Sequence, residues 1–448
     1  MQFDYRKSNA TANQLGSTQN LFMDSFLGKT IAITIFLLCI YLMTLVIDHN
    51  LVKDFDYYIG LLTSISFIYF LLKVVISFFY KSVKKDPLSD HKVSVVLPSF
   101  NEGTESVKKS IECLVNQDYP VHEIIFIDDG SDSIEAYETA VKMSEEFKAI
   151  NEKKPDSHLP KITAHRFTKN QGKRAAQTWA FKRAEGDILM LSDSDGYIYP
   201  DAVRELLKPF RDKKVTSVVG HINPRNSKDS LITRLQDILY TSAFRIGRGA
   251  QSVTNSVLVC SGALSMHRKN FILNNLDRFA EGTAMGIKMD AGDDRCLTML
   301  SLENGGKTKY QSTALCITDV PEKTGKFFKQ QVRWNKSFYL YTLETLKFAW
   351  KRPNVLFWVL AEGFVWLIFG ISSLVSLLTG STTALYLLLI YSMAYLTLSS
   401  LAGGIYYVFR NPLVYLLSPF FALMHMLILF PVRVFSLLTI KADNWGTR

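Results

Sequence analysis

A backbone inside lipid must satisfy its own hydrogen bonds, so a chain crosses a bilayer as helices of about 20 apolar residues or as a closed barrel. Two stretches near the start approach that length with almost no charge: Ile31 to Ile47 ("IAITIFLLCIYLMTLVI") and Ile59 to Phe79 ("IGLLTSISFIYFLLKVVISFF"). Further apolar blocks run over 355–378, 384–409 and 413–440, the last interrupted by Pro419 and Pro431. These blocks set the plan of the chain. Residues 1–28 are polar and expected to be disordered, 29–80 form two transmembrane helices, and 81–326 form a soluble α/β domain. An amphipathic helix covers 327–351, a C-terminal membrane region 352–440, and a short tail 441–448. The first apolar block starts after a long polar stretch and lacks a small-residue cleavage pattern, so it reads as a retained helix and not a signal peptide. Lys81, Lys84 and Lys85 follow the second helix, whereas the loop between the first two is net acidic. The soluble domain is therefore expected on the cytoplasmic side.

The formal net charge of +10 concentrates in juxtamembrane stretches such as "KSVKK" and "KFAWKR". That distribution suits membrane lipid and disfavours nucleic acid, whose binders interleave basic and aromatic residues. The five cysteines are scattered and odd in number, which suits a reducing compartment without disulfides or structural zinc.

Within the soluble domain, "KVSVVLPSFNE", "EIIFIDDGSD" and "DILMLSDSDG" each read as a β-branched or apolar strand running into a polar turn, with helical patterns such as "GKRAAQTWAFKRA" between them. Alternation of this kind predicts a mainly parallel sheet that binds ligands beyond the carboxyl ends of its strands. The strand ends nominate Pro98, Asn101 and Glu102, then Asp128 and Asp129, then Asp193, Ser194 and Asp195. Asp193 and Asp195 lie two apart, so in extended backbone they project to one side, where both can face a divalent cation that also binds phosphate. Mg2+ or Mn2+ is implied. Asp128 and Asp129 are candidates to accept hydrogen bonds from a base or ribose, and Lys173 and Arg174 to donate to phosphate. Neither a P-loop nor a GxGxxG fingerprint is present, which disfavours an NTPase or a dinucleotide enzyme. "AGDDRCLT" offers Asp293 and Asp294 as bases for a hydroxyl proton, although acidic pairs also cap helices. "KQQVRWNKSF" places Gln330, Arg333 and Trp334 on a segment whose Phe327, Trp334, Phe338, Tyr341 and Phe348 recur at helical spacing. That stripe reads as an amphipathic helix on the membrane face, as does the spacing of Leu231, Leu235, Leu239, Ala243 and Ile246.

The ordered set "DDGSD", "DSD", "GDD" and "QQVRW" between membrane segments resembles the processive inverting glycosyltransferases of family 2. "NQGKRAAQTWAF", "LVCSGALSMHRK", "GDDRCLT", "QQVRWNKSF" and the terminal "WGTR" are similar to the bacterial, streptococcal-type hyaluronan synthases, from about Gly28 onward. The resemblance implies a GT-A-like domain embedded between transmembrane helices, with UDP-glucuronate and UDP-N-acetylglucosamine as donors and nascent hyaluronan as acceptor. It implies Asp294 as general base, with Asp293 the other candidate, and Asp193 and Asp195 on the metal. Asp128 and Lys173 would contact the nucleotide, Gln330, Arg333 and Trp334 the pyrophosphate and acceptor, and Trp445 and Arg448 would close over the nucleotide. Cys260, Ser261, Gly262 and Arg295 would lie by the terminal sugar. Gly196 and Ala263 depart from the family pattern, where threonine and proline are expected, which puts loop conformation in question. "WGTR" requires a cytoplasmic C-terminus, hence an even number of crossings after the amphipathic helix. Four crossings are expected, with 413–440 re-entrant, interfacial or a tight hairpin, in a multi-pass plasma-membrane protein without an obligate protein partner. Glu362, costly in lipid, is expected on the polymer path, with aromatics such as Trp358, Phe364, Trp366 and Tyr386 nearby. A one-donor synthase of chitin-like or poly-N-acetylglucosamine chains, and a non-catalytic transporter or scaffold, remain the alternatives.

Overall fold

In a computed structural model of the protein, which describes residues 26–52, 57–88, 90–154, 157, 159–378, 382–409 and 411–441, the chain divides into two units. One comprises the described residues up to Tyr80, Ser227–Ala250 and Leu360–Pro431; the other comprises Lys81–Asn226, Gln251–Val359 and the residues from Val432 on.

The second unit is built on strands β1 (Val93–Ser99), β2 (Glu123–Asp128), β3 (Lys161–Arg166), β4 (Ile188–Ser192), β5 (Tyr197–Ile198), β6 (Val215–Pro224) and β7 (Leu264–Arg268), a ribbon of β8 (Thr283–Ala284) and β9 (Ile287–Lys288), and β10 (Lys307–Thr318). Eight of them pair in the order β3-β2-β1-β4-β7-β6-β10-β5. β1, β2 and β4 are buried along their whole length, as parallel strands covered by helices on both faces must be. Pairing is parallel except that β7 runs against both β4 and β6, and β5 against β10. The sequence did not signal the reversal of β7, because a buried five-residue strand carries no mark of its direction. Its consequence is positional. Ser192, the last residue of β4, lies opposite Leu264, the first of β7, so the segment before β7 sits on the rim where β1, β2 and β4 end.

The core of this unit runs from the sheet (Val96, Ile125, Leu189) through the helix Lys173–Arg183 (Ala176, Ala180, Phe181) to the helices Asp293–Glu303 (Leu297, Leu300) and Thr324–Ala349 (Leu340, Tyr341, Phe348). Each large apolar side chain buried there contributes about 1.5–3 kcal/mol. Of the aromatic stripe of Thr324–Ala349, Tyr341 and Phe348 belong to this core and Phe327 is also buried, while Trp334 alone of the five is exposed, at 38%. Part of the periodicity thus serves packing within the unit.

The apolar blocks fold as helices Phe26–Val52, Tyr57–Phe78, Pro353–Leu378 and Thr382–Gly403, which apart from Pro353–Val359 belong to the first unit. Ala32, Phe36, Cys39, Val74, Ala402 and Ile405 form its core, while Leu37, Leu38, Tyr41 and Leu45 stay exposed. A row of exposed apolar residues on a well-packed helix marks a surface meant for something other than water. Lys73 Nζ lies 3.0 Å from Glu362 Oε1, so the one acid of the third block is ion-paired. Leu231–Thr241 opens on a capping box between Ser230 and Thr233, and Leu235 and Ile246 are buried. The side chains of Phe364, Trp366 and Tyr386 lie outside the described residues, as do the first 25 residues.

The segment 413–440 forms no hairpin. Ser418–Leu438 is a continuous helical run with mean hydropathy 2.0, the described helix long and apolar enough to cross a membrane; Thr30–Leu42 and Ile68–Phe78 are shorter apolar runs. Phe421, Ala422, Met424, Leu429 and Val432 are buried, whereas Phe420, Leu427, Val434 and Leu438 are exposed. Its last turns pack on Thr324–Ala349: Tyr339 OH donates to Arg433 O at 3.2 Å, and the rings of Phe328 and Phe435 are 5.8 Å apart.

Gly130 follows β2 with φ +71, and a Cβ there would stand 2.4 Å from the carbonyl carbon of Lys169. Gly286, at φ +74, has open space around it. Gly286→Ala is expected to cost about 1–2 kcal/mol, the left-handed strain alone. Gly130→Ala must also move backbone, so its melting temperature in detergent should fall distinctly further.

Candidate active site

The rim is assembled by polar contacts between strand ends. After β1, Asn101 adopts φ 54 and exchanges hydrogen bonds with Asp132, Nδ2 donating at 3.0 Å and the Asp132 N–H returning at 2.8 Å. Pro98 is buried within β1 and Glu102 is half-buried beyond it. At the end of β2, Asp128 accepts from the backbone and hydroxyl of Ser131 and pairs with Arg166 Nε at 2.9 Å. Asp129 accepts from the N–H groups of Gln171 and Gly172 at 2.8 and 2.9 Å. Burial pushes its carboxyl up, against the pull of those two donors. The two acids nominated for a base or ribose thus hold protein groups, and Asp129 fixes the turn from which Lys173–Arg183 starts.

That helix divides its two adjacent cations. Lys173 Nζ donates to Asp193 Oδ1 at 2.6 Å. Arg174, 6% exposed, donates to Phe279 O at 3.0 Å and to Tyr341 OH at 3.1 Å, with its guanidinium 4.9 Å from the Phe279 ring. Successive residues of a helix point about 100° apart, so only one could face the rim. Arg174, expected on phosphate, instead clamps the helix to Thr324–Ala349.

The loop carrying Asp193, Ser194 and Asp195 is held from below by Ser110, whose hydroxyl lies 2.8 Å from Ser194 O and 3.0 Å from Gly196 O. Ser194 is buried, and its two flanking acids are half-buried. Burial first, then the Asp193 and Asp195 carboxylates, push the Cys316 thiol well up. A Cβ on Gly196 would meet Asp193 O at 3.3 Å and Cys316 Sγ at 3.5 Å, a tight but not forbidden fit. Two carboxylates supplying only oxygen form the donor set of a hard cation. Among the described residues no cluster of three or more His, Cys, Asp or Glu is poised on a metal. A cation held by one or two carboxylates and completed by substrate phosphates and water fits such a set.

Opposite lies the pair Asp293 and Asp294, on the first turn of the helix Asp293–Glu303. Asp293 Oδ2 accepts from Gln177 Nε2 at 2.7 Å. Asp294 Oδ1 accepts from the Arg295 N–H at 2.7 Å. Burial, then the neighbouring Asp293 carboxylate, raises the Asp294 carboxyl above its ordinary range, opposed by Arg295 and Lys173. The Thr298 hydroxyl donates to Asp294 O at 2.7 Å and accepts from Cys260 N–H at 2.9 Å, tying the segment before β7 to this helix. Cys260 is itself buried and Ser261 half-buried. A Cβ on Gly262 would stand 3.4 Å from Lys173 Nζ and 3.6 Å from Asp293 Oδ2. Gly262 therefore lies between the two charged halves. Gly292, at φ +83, lets Thr324–Ala349 approach: a Cβ there would be 2.8 Å from Ser337 Cβ.

On Thr324–Ala349, Gln330 and Arg333 are half-buried beside the exposed Trp334, and the Arg295 guanidinium lies 5.3 Å from the Phe338 ring. Trp445 and Arg448 lie outside the described residues. Gln177, Thr298, Ser110 and Arg166 were not singled out from sequence. Only Gln177 carried a signal there, four residues after Lys173 and hence on the same helix face.

Residues 94–273 match the model of Glycosyl transferase family 2. The chain is 39% identical to the hyaluronan synthase of Streptococcus pyogenes serotype M6 over 414 residues, 91% of this chain and 95% of that protein. A hyaluronan synthase of S. pyogenes serotype M3 is 40% identical over 395 residues, 87% of this chain and 91% of that one. An N-acetylglucosaminyltransferase of Neorhizobium galegae is 29% identical, covering 81% of each. Among solved structures, a mannosyltransferase from Pyrobaculum calidifontis in complex with GDP-Man and Mn2+ has a TM-score of 0.56 at 17% identity, covering 86% of this chain and 98% of that one; this likeness is one of fold. With a GT-A-like, mostly parallel sheet and relatives matched over nearly their whole length, the chain is a glycosyltransferase that belongs to the hyaluronan synthase family.

Proposed function

We propose that the protein polymerises hyaluronan from UDP-glucuronate and UDP-N-acetylglucosamine by inverting, processive transfer, and extrudes the chain across the plasma membrane. The observation that carries the site assignment is the convergence on one rim of the Lys173–Asp193 pair and the Gln177–Asp293 pair, with Gly262 between them. Donor diphosphate and acceptor hydroxyl need such opposed halves.

Asp193 and Asp195 hold Mg2+ or Mn2+, which when bound offsets charge on the departing UDP. Lys173 adds a cation beside the same leaving group. Asp294 takes the proton of the acceptor hydroxyl as that oxygen attacks the anomeric carbon, and inversion of α-linked donors gives β-linkages. No covalent nucleophile is needed. Gln330, Arg333 and the exposed Trp334 line the pyrophosphate and acceptor side, where an aromatic face can stack on a sugar. Cys260, Ser261, Gly262 and Arg295 border the terminal sugar, and Trp445 and Arg448 close over the nucleotide.

The exposed apolar faces of the first unit support four membrane crossings. By length and composition Ser418–Leu438 would serve as a fifth. Its last turns pack on the helix that carries Arg333 and Trp334, which supports reading it as an interfacial helix with the C-terminus on the catalytic side. The Lys73–Glu362 pair lies on the polymer path.

Purified protein in detergent with Mg2+ or Mn2+ is expected to release UDP strongly and form hyaluronidase-sensitive polymer only when both donors are present. Polymer from one donor would make it a homopolymer synthase, and no turnover would return the acidic pairs to a scaffold role. Asp195→Asn should abolish metal-dependent turnover.

Asp294→Asn should lower kcat about 10²–10⁴-fold, the usual worth of a general base. The base acts ionised and its carboxyl is raised, so kcat in the parent enzyme should fall with decreasing pH already above the ordinary aspartate value of about 3.9.

Glu362→Ala should retain UDP release while shortening or retaining the polymer, read by gel sizing of cell-associated and secreted product. Unchanged product would remove Glu362 from the path.

A further inference from the structure

Gln177 is a fully buried polar side chain to which the reaction above gives no task. Its Nε2 donates to Asp293 Oδ2, while its Oε1 has no hydrogen-bond partner among the described residues. An orphaned buried carbonyl costs stability, and an apolar side chain of similar volume would remove that cost. Packing alone therefore does not account for an amide here. One turn earlier on the same helix face, Lys173 holds Asp193 at 2.6 Å.

We propose that Gln177 is a positioning residue for the base: its amide fixes the Asp293 carboxylate, and together with Lys173 it makes one helix face the ruler between the leaving group and Asp294. This rests on the reading of Asp294 as the base.

Without the amide the Asp293 carboxylate loses the donor that fixes it beside Asp294, and a small misplacement at the site lowers the rate. The other groups facing the pair are Lys173 and Arg174 from the same helix, His267 from β7, and Arg295 and Cys296 from the helix of the two acids. They are common to parent and variants. His267 is fully buried and stays neutral, its pKa lowered to about 3 by that burial.

The test uses the full chain in detergent, with Gln177→Leu, Gln177→Glu, Gln177→Glu/Asp293→Asn and Asp294→Asn in parallel. For Gln177→Leu, kcat should fall roughly 10–100-fold, as loss of a supporting hydrogen bond or a small misplacement does. KM for both UDP-sugars should stay within about twofold, because such a loss acts on the acceptor half. Gln177→Glu should lose more, and adding Asp293→Asn, which restores an amide–carboxylate pair of reversed polarity, should recover part of the rate. Parent-like kcat in Gln177→Leu, a rise in both KM values, or no recovery in the double variant would each overturn the proposal. If Asp294→Asn is inactive while Gln177→Leu is normal, only this inference falls; if Asp294→Asn is fully active, the base assignment falls with it.

Discussion

The reversal of one strand is the constraint on which the site depends. A purely parallel sheet would start β7 on the edge opposite to the one where β1, β2 and β4 end. Because β7 runs against β4 and β6, the Cys260–Gly262 segment arrives on the same rim as Asp193 and can reach both Lys173 and Asp293. The rule that ligands bind beyond the carboxyl ends of parallel strands thus gains a loop from the amino end of an antiparallel one. The Thr298 hydroxyl, accepting from the Cys260 N–H and donating to the Asp294 carbonyl, then locks that loop to the helix of the two acids.

Around this rim, polar groups are bound in pairs that each tie two elements together. Asp129 holds the turn before Lys173, Ser110 holds the loop of Asp193 and Asp195, and Arg174 holds Thr324–Ala349. Net hydrogen bonds of this kind contribute about 0.5–1.5 kcal/mol each, but leaving one partner buried and unmade costs about 1–3. The arrangement is therefore specified less by the strength of any one contact than by the penalty on every alternative. Two neighbouring acids, Asp293 and Asp294, are tolerated because each meets a different donor, a side-chain amide for one and a backbone N–H for the other.

The first unit follows a simpler logic. Its helices bury a core of small, β-branched and aromatic residues and leave many long aliphatic side chains outward. Within it Lys73 and Glu362 are ion-paired, and pairing lowers the cost of each.

The sequence by itself determined the elements: apolar blocks of helical length, strands ending in acids, and motifs in an order that a family shares. Those are local or linear properties, set by periodicity and by which residues a strand end can carry. Tertiary structure decided what neighbours in sequence could not, namely that Lys173 meets Asp193 while Arg174 turns inward, that Asp128 and Asp129 serve protein groups, and that part of the aromatic stripe of Thr324–Ala349 enters the core. An amphipathic face reads the same whether it packs on lipid or on a sheet. A cation next to another in sequence has equal charge but a different direction, and only packing fixes which direction reaches the site.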